Sequence, residues 1–158
     1  MTDRDRVLTE SLVDYNSVVM EVGSGNGFLT EHLAQKVRLV YAIELQKGMV
    51  VQLEKRVKRW KNKVKIFNQD IADYHHKDAP VDTVIAFYSF HEIKNQEKAV
   101  INMVNSLKKD GYICLYEPTL EVNWKKMEKT ANLFSKSGID IDFYRKGRFT
   151  NFLRLKKV

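Results

Sequence analysis

The chain has 158 residues, 27 Lys and Arg against 20 Asp and Glu, a net charge of +7 and 44% hydrophobic residues. That length and apolar content fit one domain over residues 1–158, with a buried core, and exclude a disordered chain. The apolar runs are only strand-sized, MTDRDRVLTE is charged from its third residue, and one cysteine, Cys114, rules out an internal disulfide or a cysteine-rich metal cluster, so a cytoplasmic protein without membrane contact is expected.

Residues 17–22 (SVVMEV) open the chain's pattern as a strand. A glycine-rich turn follows and leads into a helix with Leu29, Leu33 and Val37 on one face. A second strand covers 39–44, and Met49, Leu53, Val57 and Trp60 recur at helical spacing before a third strand at 64–68. The fourth strand is 81–87. Val100, Met103, Val104 and Leu107 mark a helix, with Lys108, Lys109 and Gly111 supplying its C-terminal cap chemistry. A fifth strand occupies 112–117, and Trp124, Met127, Ala131 and Phe134 form a helix ended by Gly138. Alternation then takes over, through Ile139, Ile141 and Phe143, a turn at Lys146-Gly147, and Phe149, Asn151, Leu153 and Leu155. The strands are apolar on both faces, as buried parallel strands are. The pattern predicts an α/β fold: a doubly wound, mostly parallel seven-stranded sheet ending in an antiparallel hairpin. Ligands of such sheets sit outside the C-terminal strand ends, which singles out the loops after Val22, Glu44, Asn68 and Phe87.

The first of these loops reads Glu21-Val22-Gly23-Ser24-Gly25-Asn26-Gly27-Phe28. Glycines at alternate positions let the backbone turn sharply and approach a ligand closely. A dinucleotide fingerprint would place its third glycine at Phe28, and Glu21 is a poor neighbour for pyrophosphate. A cationic ligand carrying a ribose suits both features, and S-adenosylmethionine is such a ligand. A plain structural turn is the alternative.

Glu21-Val22-Gly23-Ser24-Gly25-Asn26-Gly27 resembles motif I of the class I S-adenosylmethionine-dependent methyltransferases. Tyr41-Ala42-Ile43-Glu44 resembles the family's ribose-binding strand end, Asn68-Gln69-Asp70-Ile71 its adenine-edge segment, and residues 81–92 its motif IV. Leu107-Lys108-Lys109-Asp110-Gly111 is similar to the family's turn before the fifth strand, with Asp110 in place of a glycine. The resemblance covers residues 17–118 and implies methyl transfer from S-adenosylmethionine to an unidentified small-molecule or macromolecular acceptor. It implies that Glu44 accepts the ribose hydroxyls, a bidentate task suited to a carboxylate. Asp70 and the Ile71 backbone then meet the adenine edge, with Leu45 and Met49 on its faces. Glu21 then orients the methionine end, the backbone of Gly23 and Phe87 contacts its carboxylate and amino group, and Ser24, Gly25 and Gly27 of the turn also bind the cofactor. Asp70 as a turn cap and Met49 as core remain alternatives.

His91 and Tyr88, after the fourth strand, are the catalytic candidates, because a base is needed only when the acceptor must lose a proton. His91 as a helix cap stays open beside that reading. Tyr116 and Glu117 are expected to line the same crevice. His75, His76, Asp73 and Asp78 read as a solvated loop, so no metal is expected. Residues 18–44 also read like the ribosomal RNA adenine dimethylases, although Phe87-Tyr88-Ser89 departs from their asparagine-led motif. The basic run at 55–65 (KRVKRWKNKVK) keeps an RNA-directed enzyme or RNA-binding module open as an alternative. A non-catalytic cofactor-binding subunit and a homodimer are open as well.

Overall fold

The computed structural model describes residues 3–158. Its strands are β1 Val18–Val22, β2 Leu39–Ile43, β3 Val64–Phe67, β4 Val81–Phe87, β5 Leu107–Pro118, β6 Ile139–Arg145 and β7 Thr150–Lys157. They form one sheet in the order β3-β2-β1-β4-β5-β7-β6. β1 to β5 pair in parallel, and β7 lies antiparallel between β5 and β6. This is the doubly wound, mostly parallel sheet with a C-terminal hairpin that the alternation predicts.

Both faces of the sheet are covered, which is why its central strands are apolar throughout. Val19, Val40, Ala42, Ile85 and Tyr116 pack on one side with α2 (Phe28–Lys36), α3 (Lys47–Arg56) and α1 (Arg4–Glu10). Met20, Ile43, Val84, Ile113 and Leu115 pack on the other with α4 (Gln96–Ser106) and α5 (Trp124–Ser135). The sequence pattern misses α1: seven residues with only Val7 and Leu8 buried are too short to show a period. Tertiary contacts hold it, since Glu10 receives a two-pronged bond from Arg145, Nε and Nη2 each at 3.0 Å.

Two element ends differ from expectation. The helix expected to run to Trp60 stops at Arg56, and a 3-10 turn, Lys58–Trp60, returns the chain to β3. The end of α4 is not capped by Lys108, Lys109 or Gly111, because β5 begins at Leu107, which pairs with Val81. Lys157 does that work from the far end of the chain, donating Nζ to the carbonyls of Val104 (2.9 Å) and Leu107 (2.7 Å). Among the described residues, no helix is long and apolar enough to cross a membrane.

Candidate active site

Strand order reverses between β1 and β4, and the C-terminal strand ends there frame a cleft of about 600 Å³. Small-molecule sites span roughly 300–1,000 Å³. Glu21, Gly23, Ser24, Gly25, Glu44, Leu45, Met49, Asp70, Ile71, Phe87 and Tyr88 line it. Gly27 and His91 do not.

The glycine turn is held from two sides. Gly23 has a φ of +73°, and a β-carbon there would fall on Ser89 Cβ and 2.7 Å from its Oγ. Ser89 comes this close because its hydroxyl donates to the Val22 carbonyl at 2.6 Å. Gly27, by contrast, is the N-cap of α2 at a φ of +91°, where a β-carbon would sit 2.8 Å from Leu53 Cδ1. Its β-position faces the packing of α2 on α3, and it is not among the residues that line the cleft. The turn's N–H groups are largely engaged within the protein. Those of Gly23 and Ser24 donate to the Ile43 carbonyl at 2.8 and 3.2 Å, and that of Gly27 to Ser24 at 3.1 Å. The Gly25 N–H donates to Glu44 Oε1 at 2.8 Å.

Glu44, only 7% exposed, is the strut of the site. Its second oxygen accepts from the Gln46 N–H at 2.7 Å. Asn68 clamps the same corner by donating Nδ2 to the carbonyls of Glu44 and Leu45, both at 2.9 Å. Each carboxylate oxygen therefore spends one lone pair on the backbone and keeps another for a ligand. Leu45 projects apolar surface at the rim, 61% exposed, and Met49 is half-buried beside it.

Glu21 is buried at the end of β1 and accepts from the Thr30 hydroxyl. Burial pushes its carboxyl up to about 7, with the Thr30 and Ser24 hydrogen bonds opposing and the charge of Glu44 adding to the rise. On the other flank, Asp70 Oδ1 accepts from the Ala72 N–H at 2.9 Å, so it caps its own turn while lining the cleft. Asn102, buried on α4, fixes that turn by donating to the carbonyls of Ile71 and Ala72 at 2.9 Å each.

The two catalytic candidates follow β4. Tyr88 lines the cleft with a φ of +56°, unusual for a bulky residue. It is pinned by its N–H on the Tyr116 carbonyl at 2.7 Å, by its hydroxyl on Thr150 Oγ1, and by stacking on Phe87 at 4.2 Å between centroids. His91 belongs to a 3-10 turn, Phe90–Glu92, and its ring is held between carboxylates. Nδ1 lies 2.9 Å from Glu117 Oε2, which also accepts the His91 backbone N–H at 3.1 Å, and Nε2 lies 2.5 Å from Glu121 Oε2. Burial disfavours the charged ring, but the Glu117 hydrogen bond and the charges of Glu117, Glu121 and Glu92 outweigh it and raise the His91 pKa. Burial likewise raises that of Glu117, against the pull of His91. Tyr116, expected in the crevice, is wholly buried and points to α1, its hydroxyl 3.4 Å from the Val7 carbonyl. His76 is braced by Tyr74 and the Ala79 carbonyl, and no metal-holding cluster occurs among the described residues.

Sequence reasoning missed Ser89, Thr30, Asn68 and Asn102 as supports of the site. Asn102 alone left a signal, a polar residue within the apolar stripe of α4.

The sequence pattern of the methyltransferase-domain family matches residues 20–115, and the chain belongs to that family. An uncharacterised methyltransferase of Geobacillus sp. (strain WCH70) is 34% identical over 99 residues, covering 61% of this chain and 45% of that protein. Ribosomal RNA small subunit methyltransferase A of Mesomycoplasma hyopneumoniae (strain 232) is 35% identical over 89 residues, covering 52% of this chain and 33% of its own length. The chain thus spans less than half the length of these relatives. A SAM-dependent methyltransferase from Aquifex aeolicus has the same fold, with a TM-score of 0.87 at 20% identity over 99% of this chain and 90% of that one.

Proposed function

We propose that the chain binds S-adenosylmethionine in this cleft, works as one unit over residues 1–158, and transfers the methyl group to an acceptor. The observation that carries this reading is the closure of the glycine turn on Glu44. It turns the loop N–H groups of Gly23, Ser24 and Gly25 toward the protein, so they cannot cradle phosphate, while two carboxylates, Glu21 and Glu44, border the cleft. A dinucleotide meets repulsion there; a ribosyl sulfonium meets acceptors and negative charge.

When bound, the cofactor supplies an electrophilic methyl group on a positively charged sulfur. Glu44 offers its two remaining lone pairs to the ribose hydroxyls. Leu45 and Met49 flank the adenine, and Asp70 with the Ile71 backbone faces its edge. Glu21 compensates the cationic end, from which Gly23, Ser24 and Phe87 exclude water. Tyr88, fixed by Thr150 and Phe87, forms the wall against which the acceptor is positioned. With both ring nitrogens on carboxylates, His91 acts in this conformation as a clasp between the β4 and β5 loops. It becomes a general base only when Glu121, 61% exposed at its side chain, swings away. An acceptor with a free lone pair needs no such step.

Isothermal titration with S-adenosylmethionine and S-adenosylhomocysteine tests the reading. Micromolar binding of both is expected, and no heat at high-micromolar ligand would remove it.

A further inference from the structure

Residues 55–65 hold seven of the chain's 27 Lys and Arg and no acid, so the 20 basic residues elsewhere balance the 20 Asp and Glu. The entire net charge of +7 therefore sits in one short stretch. In the basic C-terminus, Arg154 pairs with Asp142 at 2.6 Å and Lys157 is engaged by the carbonyls at the end of α4. Within the stretch, Arg56 reaches Glu31 at 3.4 Å and Lys65 reaches Asp78 at 3.1 Å. Lys55, Lys58, Arg59, Lys61 and Lys63 make no ion pair among the described residues.

The backbone gathers these five cations at one corner. Successive tight turns, Trp60 N–H to the Val57 carbonyl at 2.8 Å and Lys63 N–H to the Trp60 carbonyl at 2.8 Å, coil the chain between α3 and β3. The Lys63 carbonyl accepts from Val40 at 2.8 Å, which fixes the corner at the N-terminal end of β2. Glu44 lies four residues further along, about 13 Å away at ~3.3 Å per residue. The cleft has the opposite character, with Glu21, Glu44, Asp70 and Glu92 against Lys94.

We infer that this corner is a docking surface for a nucleic-acid strand, held by its phosphodiester backbone and separate from the cleft. Five unpaired cations on a short, backbone-braced coil suit a linear polyanion. A membrane surface is the poorer occupant, because Val50, Leu53 and Val57 are buried and Val51 alone is an exposed large apolar side chain on α3, too little to insert. A second copy would meet like charge. Trp60 is partly buried beside Arg59, so no stacking platform accompanies the cations and the contact is sequence-independent.

Fluorescence anisotropy with a fluorescein-labelled 12-nucleotide single-stranded RNA, and with DNA of the same sequence, tests this. Five phosphate contacts predict that log K falls against log salt with a slope of about −3.5, roughly a hundredfold loss between 50 and 200 mM. In Lys58→Glu/Arg59→Glu/Lys61→Glu the slope shrinks by about 2 and binding at 50 mM drops at least tenfold. Binding of either oligonucleotide with that response supports the surface, and the two arms report whether the sugar matters. A salt slope unchanged in the triple variant overturns it, as does binding to phosphatidylglycerol vesicles that neither oligonucleotide displaces. S-adenosylhomocysteine binding, unchanged in the variant, reports an intact fold. Its absence from both proteins would strike the reading of the cleft and leave this one to the anisotropy.

Discussion

Replacing Glu44 by Gln separates a structural strut from a ligand contact. Both oxygens face backbone donors, Gly25 N–H at 2.8 Å and Gln46 N–H at 2.7 Å, so the amide NH2 must confront an N–H whichever way it turns. That buried donor left without an acceptor costs about 1–3 kcal/mol in the free protein. At 158 residues it lowers Tm by roughly 2–12 °C. One ribose hydroxyl loses its charged acceptor as well, about 1.5–3 kcal/mol or a ~10- to 150-fold rise in Kd. Thermal melting without ligand reads the first quantity, and titration with S-adenosylhomocysteine reads the second. A lower Tm with Kd within threefold of the parent would refute the ribose role and leave Glu44 a loop strut. Both quantities unchanged would refute the geometry itself.

Glu21, raised to about 7 from the usual 4.5, holds its proton more tightly folded than unfolded. Its stability contribution is therefore complete below about pH 4.5 and is lost as pH rises through about 7. Glu21→Gln should gain Tm over the parent at pH 8 and much less at pH 5; an equal gap at both would contradict burial as the cause. Gly23→Ala meets a left-handed φ and Ser89 together, so it should lose both Tm and S-adenosylhomocysteine binding. Adding Ser89→Gly should restore part of the loss, and no recovery would mean that φ alone is decisive. His91 is also raised, so its clasp is strongest below pH 6.5 and fades as pH climbs through the folded value. On a Glu21→Gln background, His91→Gln should cost more Tm at pH 6 than at pH 9, and equal losses would show that the carboxylate contacts are not ionic.

The strands and the cleft-lining residues were legible because each is a local signal. Apolar runs mark β1, β2 and β4, and Gly23, Glu44 and Asp70 fall directly after their strands. The supports were not legible, since each acts across long stretches of chain. Ser89 meets Val22 from 67 positions away, Asn102 meets Ile71 from 31, and Lys157 caps α4 from 53. Gly27 and Gly23 look alike in the motif, and only the neighbouring element, Leu53 for one and Ser89 for the other, separates the glycine packed on α3 from the one at the cleft wall. Tyr116 was misplaced for a similar reason. A strand end gives position but not side: Tyr116 faces α1 and Glu117 faces His91, and neither lines the cleft.

The division of charge ties these pieces together. A chain of net charge +7 that buries Glu21 beside Glu44 accepts a desolvation penalty that packing does not require, since Thr30 alone could satisfy a neutral partner. A fixed cation arriving in the cleft would offset that penalty, and a neutral ligand of the same shape would not. Lys63, whose carbonyl accepts from Val40, is anchored four residues of β2 from Glu44, about 13 Å at ~3.3 Å per residue, which exceeds the ~8 Å screening length at physiological ionic strength. On the proposed readings, the cleft favours a sulfonium over its neutral product while the basic corner attracts anions, and neither site opposes the other.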